Sequence, residues 1–332
     1  MKQLRRLALT ALVLAFAVIL LGAYTRLTDA GLGCPDWPGC YGRLVLPAQT
    51  PDLLTAQQQY PDVPLESHKA WTEMGHRYAA GLLALLIVGI GIYAWRYRRQ
   101  GAPTGIPMIL LGLVGCQAAL GMWTVTLKLL PIVVMGHLLG GLLIFAHLVY
   151  LNLLLWSPSR SAQSEWRFWL DLAVVIVFCQ IALGGWVSSN YAGLACVGFP
   201  QCNGQWFPSM VWQKGFQLWS SIGANYQGGL LDNASRVTIQ MAHRFGAYLT
   251  VFYLVSLSVI LGWKITYAAV QRAVSAVLVF VIIQVTLGIG NVFYLLPLWM
   301  AVAHNGIAGL LFAAVLTLRY VVLRGEKHVR RA

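Results

Sequence analysis

The sequence predicts an all-α integral membrane protein whose eight transmembrane helices form two parallel, pseudo-symmetric four-helix bundles. Three observations lead to this prediction. The 332 residues are 58% hydrophobic and only 10% charged, whereas about 25% of the residues in soluble globular proteins are charged. Eight apolar runs are long enough to cross a bilayer, which takes about 20 residues. The first half of the chain also resembles the second half at many positions.

The apolar runs predict the transmembrane helices in chain order. They lie at residues 7–23, 74–94, 106–124, 132–153, 168–187, 239–261, 273–291 and 299–320. Because the number of spans is even, we expect both termini on one side of the membrane. The first run follows basic residues and could be mistaken for a cleaved signal peptide. Its counterpart in the repeat is an internal span, so we expect a retained helix.

The distribution of charge predicts the orientation of the helices. The net charge is +13, and fifteen of the 23 Lys and Arg residues lie in the tails or in the loops after even-numbered spans. The other loops hold most of the acidic residues, so the positive-inside rule places both termini in the cytoplasm. This distribution argues against nucleic acid as a partner. No Arg-rich, Ser-rich transit segment precedes the first span, which favours a bacterial plasma (inner) membrane.

The repeat divides the chain into two halves. Residues 22–40 align with 184–202 at a constant offset of 162, and later segments align at an offset of 167. We therefore predict an N-terminal half at 1–154, a cytoplasmic linker at 155–167 and a C-terminal half at 168–332. Because four spans is an even number, both halves have the same orientation, unlike the inverted repeats common in transporters.

Four of the seven histidines form a matched set, one near the outer end of each even-numbered span: His76, His137, His243 and His304. Ionisable side chains inside a membrane usually mark function, and imidazoles on facing helices can hold a cofactor between them. Haem iron accepts an axial imidazole on each side. Zinc or copper is a poorer fit, because two ligands per half are fewer than such sites normally have. A single histidine of this kind would instead be interpreted as an interhelical hydrogen-bonding residue.

Glycines near these histidines would let a flat ring approach the backbone. We expect this of Gly75, Gly136, Gly140, Gly141, Gly246, Gly306 and Gly309. Gln117 and Gln284 are interpreted as interhelical hydrogen-bonding residues. The remaining histidines, His68, His147 and His328, receive no role.

The two halves differ chemically beside the first histidine of each pair. Glu73 lies three residues before His76 and shares its helical face, whereas the matched residue in the second half is Gln240. Only the carboxylate can accept a proton, so Glu73 is the candidate for acid–base chemistry. The alternative is an interfacial Glu at a helix start. Arg77 and Arg244 follow the matched histidines and could hold haem propionates or extend to lipid head groups.

Each half also has a cysteine pair in an outer loop, Cys34 with Cys40 and Cys196 with Cys202. In an oxidising compartment such pairs form disulfides, and these could be structural or redox-active. Cys116 and Cys179 lie within spans and are expected to be small packing residues.

The motif T-R-L-T-D-A-G-L-G-C-P-D-W-P-G-C, the motif E-M-G-H-R and the four matched histidines together resemble the haem A synthase family over nearly the whole chain. This resemblance implies an oxidoreductase that converts the C8 methyl of haem O to the formyl of haem A for respiratory terminal oxidases. It implies substrate haem at His76 and His137, a haem b cofactor at His243 and His304, and proton removal by Glu73. The implied partners are haem O synthase and an electron donor in the membrane. Both cysteine pairs occur in one bacterial branch of the family.

Two other functions compete with this interpretation. A di-haem b-type cytochrome that transfers electrons from quinol would also use four histidines, but it would not need a carboxylate in only one half. A thiol oxidoreductase acting through the cysteine pairs would not need the histidines. The loop at 41–70 has no interpretation from the sequence.

Overall fold

A computed structural model describes residues 1–46, 55, 58–61, 66–156 and 165–329. In this part of the chain, eight helices are long and apolar enough to cross a membrane, which confirms the predicted all-helical membrane fold. The helices are α1 (Lys2–Leu27), α2 (Ser67–Arg96), α3 (Gly105–Thr126), α4 (Pro131–Trp156), α5 (Arg167–Ser189), α6 (Asn233–Lys264), α7 (Ala268–Phe293) and α8 (Leu298–Val329). The only β-structure among these residues is two isolated bridges, Cys40–Arg43 and Cys202–Gln205.

The helices extend beyond the apolar runs that predicted them. Helix α2 begins at Ser67, one to two turns before the run at 74–94, and α6 begins at Asn233. The Asp232 side chain caps α6 by accepting a hydrogen bond from the Ser235 N–H at 2.8 Å, as is common at helix N-termini. Hydrogen bonds from Lys214 and from Ser235 lower the pKa of Asp232 to about 2.

Eight crossings return the chain to the face where it began, called here the terminal face. The opposite face, where α1 ends and α2 begins, is called the cysteine-loop face. It carries the two cysteine loops, residues 34–40 in the first half and 196–202 in the second. The predicted linker at 155–167 falls partly outside the described residues, as does much of the loop at 41–70. Helix α4 continues to Trp156 and α5 starts at Arg167.

The two halves pack against each other through α1, α4, α5 and α8. The Asn152 side chain donates to the Ala8 carbonyl at 3.0 Å and joins α4 to α1 within the first half. Between the halves, Gly185 of α5 lies against Leu138 of α4, and Gly306 of α8 lies against Leu20 of α1. Small residues at these crossings let the helix backbones approach closely, as in other membrane helix pairs.

The turns of the two halves use the same unusual backbone geometry. Left-handed φ is uncommon outside glycine. Within the described residues, every non-glycine position with positive φ belongs to a matched pair with an offset of 162 or 167: Asp29 and Tyr191, Tyr41 and Asn203, Lys128 and Leu295, Leu129 and Leu296. These matches support the predicted repeat, which was inferred from side-chain identities alone.

Candidate functional site

The first histidine pair is formed by His76 of α2 and His137 of α4. Their rings meet edge to face near the cysteine-loop face, with centroids 6.4 Å apart and planes at 80°. Both rings are partly buried among the helices. The structure therefore brings together two imidazoles that are 61 residues apart in the chain.

Each of the four histidines lies against a glycine of an odd-numbered helix. A Cβ atom added to Gly22 of α1 would lie 3.0 Å from His76 Cε1, and one on Gly121 of α3 would lie 3.2 Å from His137 Cε1. The second half repeats this arrangement. The corresponding distances are 3.2 Å for Gly184 with His243 and 3.1 Å for Gly288 with His304. Even-numbered helices thus supply the imidazoles, and odd-numbered helices supply the glycines that make room for them.

These glycines are not the ones that we expected from the sequence. Gly75 and Gly309 have no atom of a described residue within 4 Å of an added Cβ, whereas Gly140 lies against the Gln117 side chain and Gly246 against that of Gln180. Gly306 packs against Leu20 of α1. The contacting glycines do occur as matched pairs in the repeat, at offsets of 162 and 167. That pairing is the sequence signal that could have identified them.

The imidazole nitrogens are only partly satisfied by protein groups. The Nδ1 atoms of His76, His137 and His304 are buried and have no hydrogen-bond partner among the residues that the structure describes, which is unusual for buried polar atoms. In contrast, Nδ1 of His243 lies 3.1 Å from Gln180 Nε2. Gln180 has no counterpart in the first half, where position 18 is Val, and the sequence interpretation missed it.

The two glutamines that we expected to link helices both lie beside histidines. Gln117 of α3 donates to the carbonyl of His137 at 2.7 Å, and Gln284 Nε2 of α7 lies 3.2 Å from Nε2 of His304. Among the described residues, no group of three or more His, Cys, Asp or Glu side chains could hold a metal ion together. Paired imidazoles with free nitrogens, close to glycines on facing helices, fit haem, which takes two axial ligands from the protein.

Glu73 is buried, with 4% of its surface exposed, and its carboxylate is fully engaged. The Cys34 N–H donates to Oε2 at 2.9 Å, and Arg77 Nη2 donates to Oε1 at 2.5 Å. The carboxylate therefore connects α2 to the cysteine loop. Gln240 is buried to a similar degree, but its Oε1 has no hydrogen-bond partner in the described part of the chain.

Arg77 and Arg244 bind the cysteine loops of their own halves. Arg77 donates to the carbonyls of Asp36 at 3.0 Å and of Gly39. Arg244 donates to the carbonyls of Gln201 and Cys196, each at 3.0 Å. Gly39 and Gln201 are matched positions, so both halves share this contact.

The predicted disulfides are confirmed. Cys34 pairs with Cys40 and Cys196 with Cys202, with Cα atoms 4.8 and 4.7 Å apart.

The expectation for the two remaining cysteines was wrong. Cys116 of α3 and Cys179 of α5 are exposed, so they lie on the outer surface of the helices and do not pack in the core. His147 bonds only within its own helix, to the Leu143 carbonyl at 2.8 Å.

Comparison with known proteins is consistent with this geometry. Residues 5–316 match the family described as "Cytochrome oxidase assembly protein". The chain is 44% identical to a "Heme A synthase" of Shewanella oneidensis over 96% of both chains. It is 30% identical to a "Heme A synthase" of Rhizorhabdus wittichii, covering 92% of this chain and 89% of that relative.

The chain belongs to the cytochrome oxidase assembly protein family. This member has a further cluster that joins its halves between the two histidine pairs, called here the inter-half cluster: Arg26, Asp29, Ser188 and Tyr191. Arg26 Nη2 donates to the Ser188 carbonyl at 2.6 Å, and the guanidinium lies 4.0 Å from the Tyr191 ring centroid. The Tyr191 hydroxyl donates to Asp29 at 3.0 Å.

The inter-half cluster is made of residues that match one another in the repeat. Position 26 corresponds to 188 and position 29 to 191. Arg26 is one helical turn beyond Gly22, and Ser188 is one turn beyond Gly184. In this family member, the cluster therefore connects the two helices whose glycines contact His76 and His243.

Proposed function

We propose that this protein is a haem A synthase, an oxidoreductase that oxidises the C8 methyl of haem O to a formyl group for respiratory terminal oxidases. One observation carries the proposal beyond the names of its relatives. Two matched histidine pairs are accompanied by a single carboxylate, Glu73, whose counterpart is Gln240. A protein that performs chemistry in only one of two similar sites requires such a difference.

The two halves are assigned different roles. His76 and His137 would hold the substrate haem in the first half. His243 and His304 would hold a resident haem b in the second half, where Gln180 orients the His243 ring. The bound haem would supply the redox-active iron. The glycines opposite the four histidines have no side chain and therefore leave room for the imidazole rings.

Glu73 would accept protons released as the methyl group is oxidised. The Cys34 N–H and the Arg77 guanidinium hold the carboxylate in one orientation. Arg77 and Arg244 remain candidates for propionate contacts. Their guanidinium groups already donate hydrogen bonds to carbonyls of the cysteine loops. A propionate would therefore bind a guanidinium that is already partly engaged.

The deciding experiment compares the haems extracted from the native protein and from Glu73→Gln, each expressed with haem O supplied and analysed by mass spectrometry. We expect haem A from the native protein and a decrease of about 100-fold or more in the variant, the usual range for loss of an acid–base group. Glu66→Gln is the matched control, because Glu66 is exposed at the start of the same helix. Equal haem A production by native protein and Glu73→Gln would remove the role of Glu73.

A second candidate, a di-haem b-type cytochrome that transfers electrons from quinol, is favoured by the presence of matched histidine pairs in both halves. The same extraction separates it from the synthase. Recovery of haem b alone, without haem O or haem A when haem O is supplied, would establish the cytochrome and refute the synthase.

The cellular setting follows from the charges. We assign the protein to the bacterial inner membrane, with the terminal face and both termini in the cytoplasm and the cysteine loops outside. Haem O synthase and a membrane electron donor are its expected partners. A reporter enzyme that is active only in the periplasm, fused at residue 100 or at residue 204, tests this orientation. Only the fusion at residue 204 should be active.

A further inference from the structure

The loop between α5 and α6 exposes an unusual amount of aromatic surface. We call residues 203–232 the aromatic loop. Its exposed large side chains include Trp206 (60%), Phe207 (80%), Trp212 (50%), Trp219 (82%) and Ile222 (78%). Exposed apolar surface of this extent in a loop indicates contact with a partner or a membrane.

The aromatic loop is fixed at two points, so these side chains have a defined orientation. Near its middle, the Trp186 indole N–H donates to the Gly215 carbonyl at 2.8 Å, and the Val211 N–H donates to the Thr238 hydroxyl oxygen at 2.7 Å. Nearer its end, the Tyr226 N–H donates to the Lys128 carbonyl at 3.0 Å. The loop therefore spans from the second half to the α3–α4 turn of the first.

The aromatic loop carries almost no charge. From Asn203 to Leu231 the only charged residue is Lys214, which is paired with Asp232 at 2.5 Å. The corresponding loop of the first half contains several charged residues: Arg43, Asp52, Asp62 and Glu66. Protein-binding surfaces usually have a polar rim around their apolar core, whereas uncharged segments rich in Trp are typical of the membrane–water interface.

We propose that the aromatic loop lies in the head-group region of the bilayer leaflet at the cysteine-loop face, with Trp206, Phe207, Trp219 and Ile222 inserted among the lipids. The connection between α5 and α6 begins after Ser189 and ends at Asn233, and the aromatic loop, which is its C-terminal part, therefore lies at the cysteine-loop face. Indole rings are amphipathic and favour this depth. The occupant of the exposed surface is lipid, and no second protein is required to cover it.

Insertion of the aromatic loop would also affect the histidine sites. Phe216 and Met135 both pack against a buried cluster that contains Trp186 of α5. Trp186 is two residues from Gly184, and Met135 is two residues from His137. The aromatic loop therefore packs, through Phe216, against residues that are close in the chain to Gly184 and His137.

Site-directed spin labelling in nanodiscs tests this placement. Phe207→Cys, Trp219→Cys and Ile222→Cys are labelled in a Cys116→Ser, Cys179→Ser background that keeps both disulfides. Accessibility to oxygen and to a water-soluble nickel chelate is compared with two references. Gln100→Cys lies in the exposed loop of the terminal face, and Phe252→Cys lies on the exposed surface of α6.

Lipid insertion predicts oxygen-to-nickel ratios between those of the two references at all three positions. It also predicts that Trp219→Asp raises the nickel accessibility of a label at 222. Nickel accessibility equal to that of Gln100→Cys at all three positions would show that the surface faces water, as a protein-docking surface would, and would overturn the proposal. Circular dichroism of each labelled variant shows whether it is folded, so that a misfolded variant is replaced by its neighbour in the loop.

Discussion

At the scale of single residues, the histidine sites depend on the absence of a side chain at the glycine opposite each ring. The distance from an added Cβ to each imidazole is 3.0 to 3.2 Å, closer than ordinary van der Waals contact. A methyl group at any of these glycines would have to displace the ring, because the glycine lies on a helix that cannot easily move away. The glycines are therefore as important for the sites as the histidines.

We predict that Gly22→Ala decreases haem binding by the first half and leaves haem b in the second half. Alanine normally stabilises a helix by about 1 kcal/mol relative to glycine, so loss of haem cannot be attributed to weaker helix formation. The matched control is Gly89→Ala, since an added Cβ there meets no atom within 4 Å. The measurement is the absorption spectrum and haem content of each purified variant. Normal occupancy of both sites in Gly22→Ala would show that the ring tolerates the methyl group. Gly184→Ala should give the opposite pattern.

The pair of Glu73 and Arg77 leads to a second prediction at this scale. Their side chains are 5% and 13% exposed, and removing one partner of a buried ion pair costs about 3–5 kcal/mol. We expect Arg77→Ala to destabilise the protein by an amount in this range. In a double-mutant cycle, Glu73→Gln should be less harmful when Arg77 is already absent. The free energy of unfolding in mixed micelles measures this coupling, and additive effects would show that the two groups act independently.

At the scale of structural elements, each cysteine loop serves as a fixed platform for one helix. Arg77 bonds to the first loop and Arg244 to the second, but only the first loop also holds a carboxylate through the Cys34 N–H. The first cysteine loop therefore binds both an arginine and a carboxylate, whereas the second binds only an arginine. This difference predicts different consequences when each disulfide is removed.

We expect the double variant Cys34→Ser, Cys40→Ser to decrease conversion of haem O. Without the disulfide, the backbone N–H of residue 34 is no longer held in place to donate to the Glu73 carboxylate. Cys196→Ser with Cys202→Ser should instead decrease retention of haem b. A disulfide that closes so short a loop contributes about 2 kcal/mol, so both variants should still fold in the membrane. Haem analysis by mass spectrometry distinguishes the two outcomes. Equal losses at both sites after either change would indicate that the loops act only on overall stability.

The sequence predicted the elements better than their contacts. All eight spans were predicted because lipid imposes a length and an apolar composition on each of them. The repeat marks Gly22 as a matched position, but its contact with His76 depends on how α1 is rotated about its own axis, which the sequence does not specify. Packing between helices sets that rotation. The same holds for Arg77, whose residue type was compatible with propionates, lipid or loop carbonyls.

At the scale of the whole molecule, the inter-half cluster joins the two halves near the ends of α1 and α5. Arg26 bonds to Ser188, and each of these two residues lies one turn beyond the glycine of its helix that contacts His76 or His243. Breaking the cluster should therefore affect how the halves fit together more than it affects either half alone.

We predict that Tyr191→Phe lowers the free energy of unfolding by about 1 kcal/mol, the usual contribution of one hydrogen bond. Arg26→Ala should cost more, since it also removes the contact with the Tyr191 ring and the bond to Ser188. Tyr24→Phe is the control, because Tyr24 lies on the same helix as Arg26 and is 41% exposed. Stability against denaturing detergent is the measurement. Equal stability of Tyr24→Phe and Tyr191→Phe would show that the cluster does not hold the halves together.

The composition of the inter-half cluster also bears on the origin of the fold. In an isologous dimer, residues on the two-fold axis meet their own copies. Position 26 bonds to its own counterpart at 188, and position 29 bonds to its counterpart at 191. In a homodimer of a four-helix ancestor, each of these two positions would contact its own copy in the partner, with identical side chains on both sides. Fusion of two such copies into one chain would remove that restriction. Arginine could then face serine, aspartate could face tyrosine, and one copy could keep a carboxylate that the other exchanged for an amide.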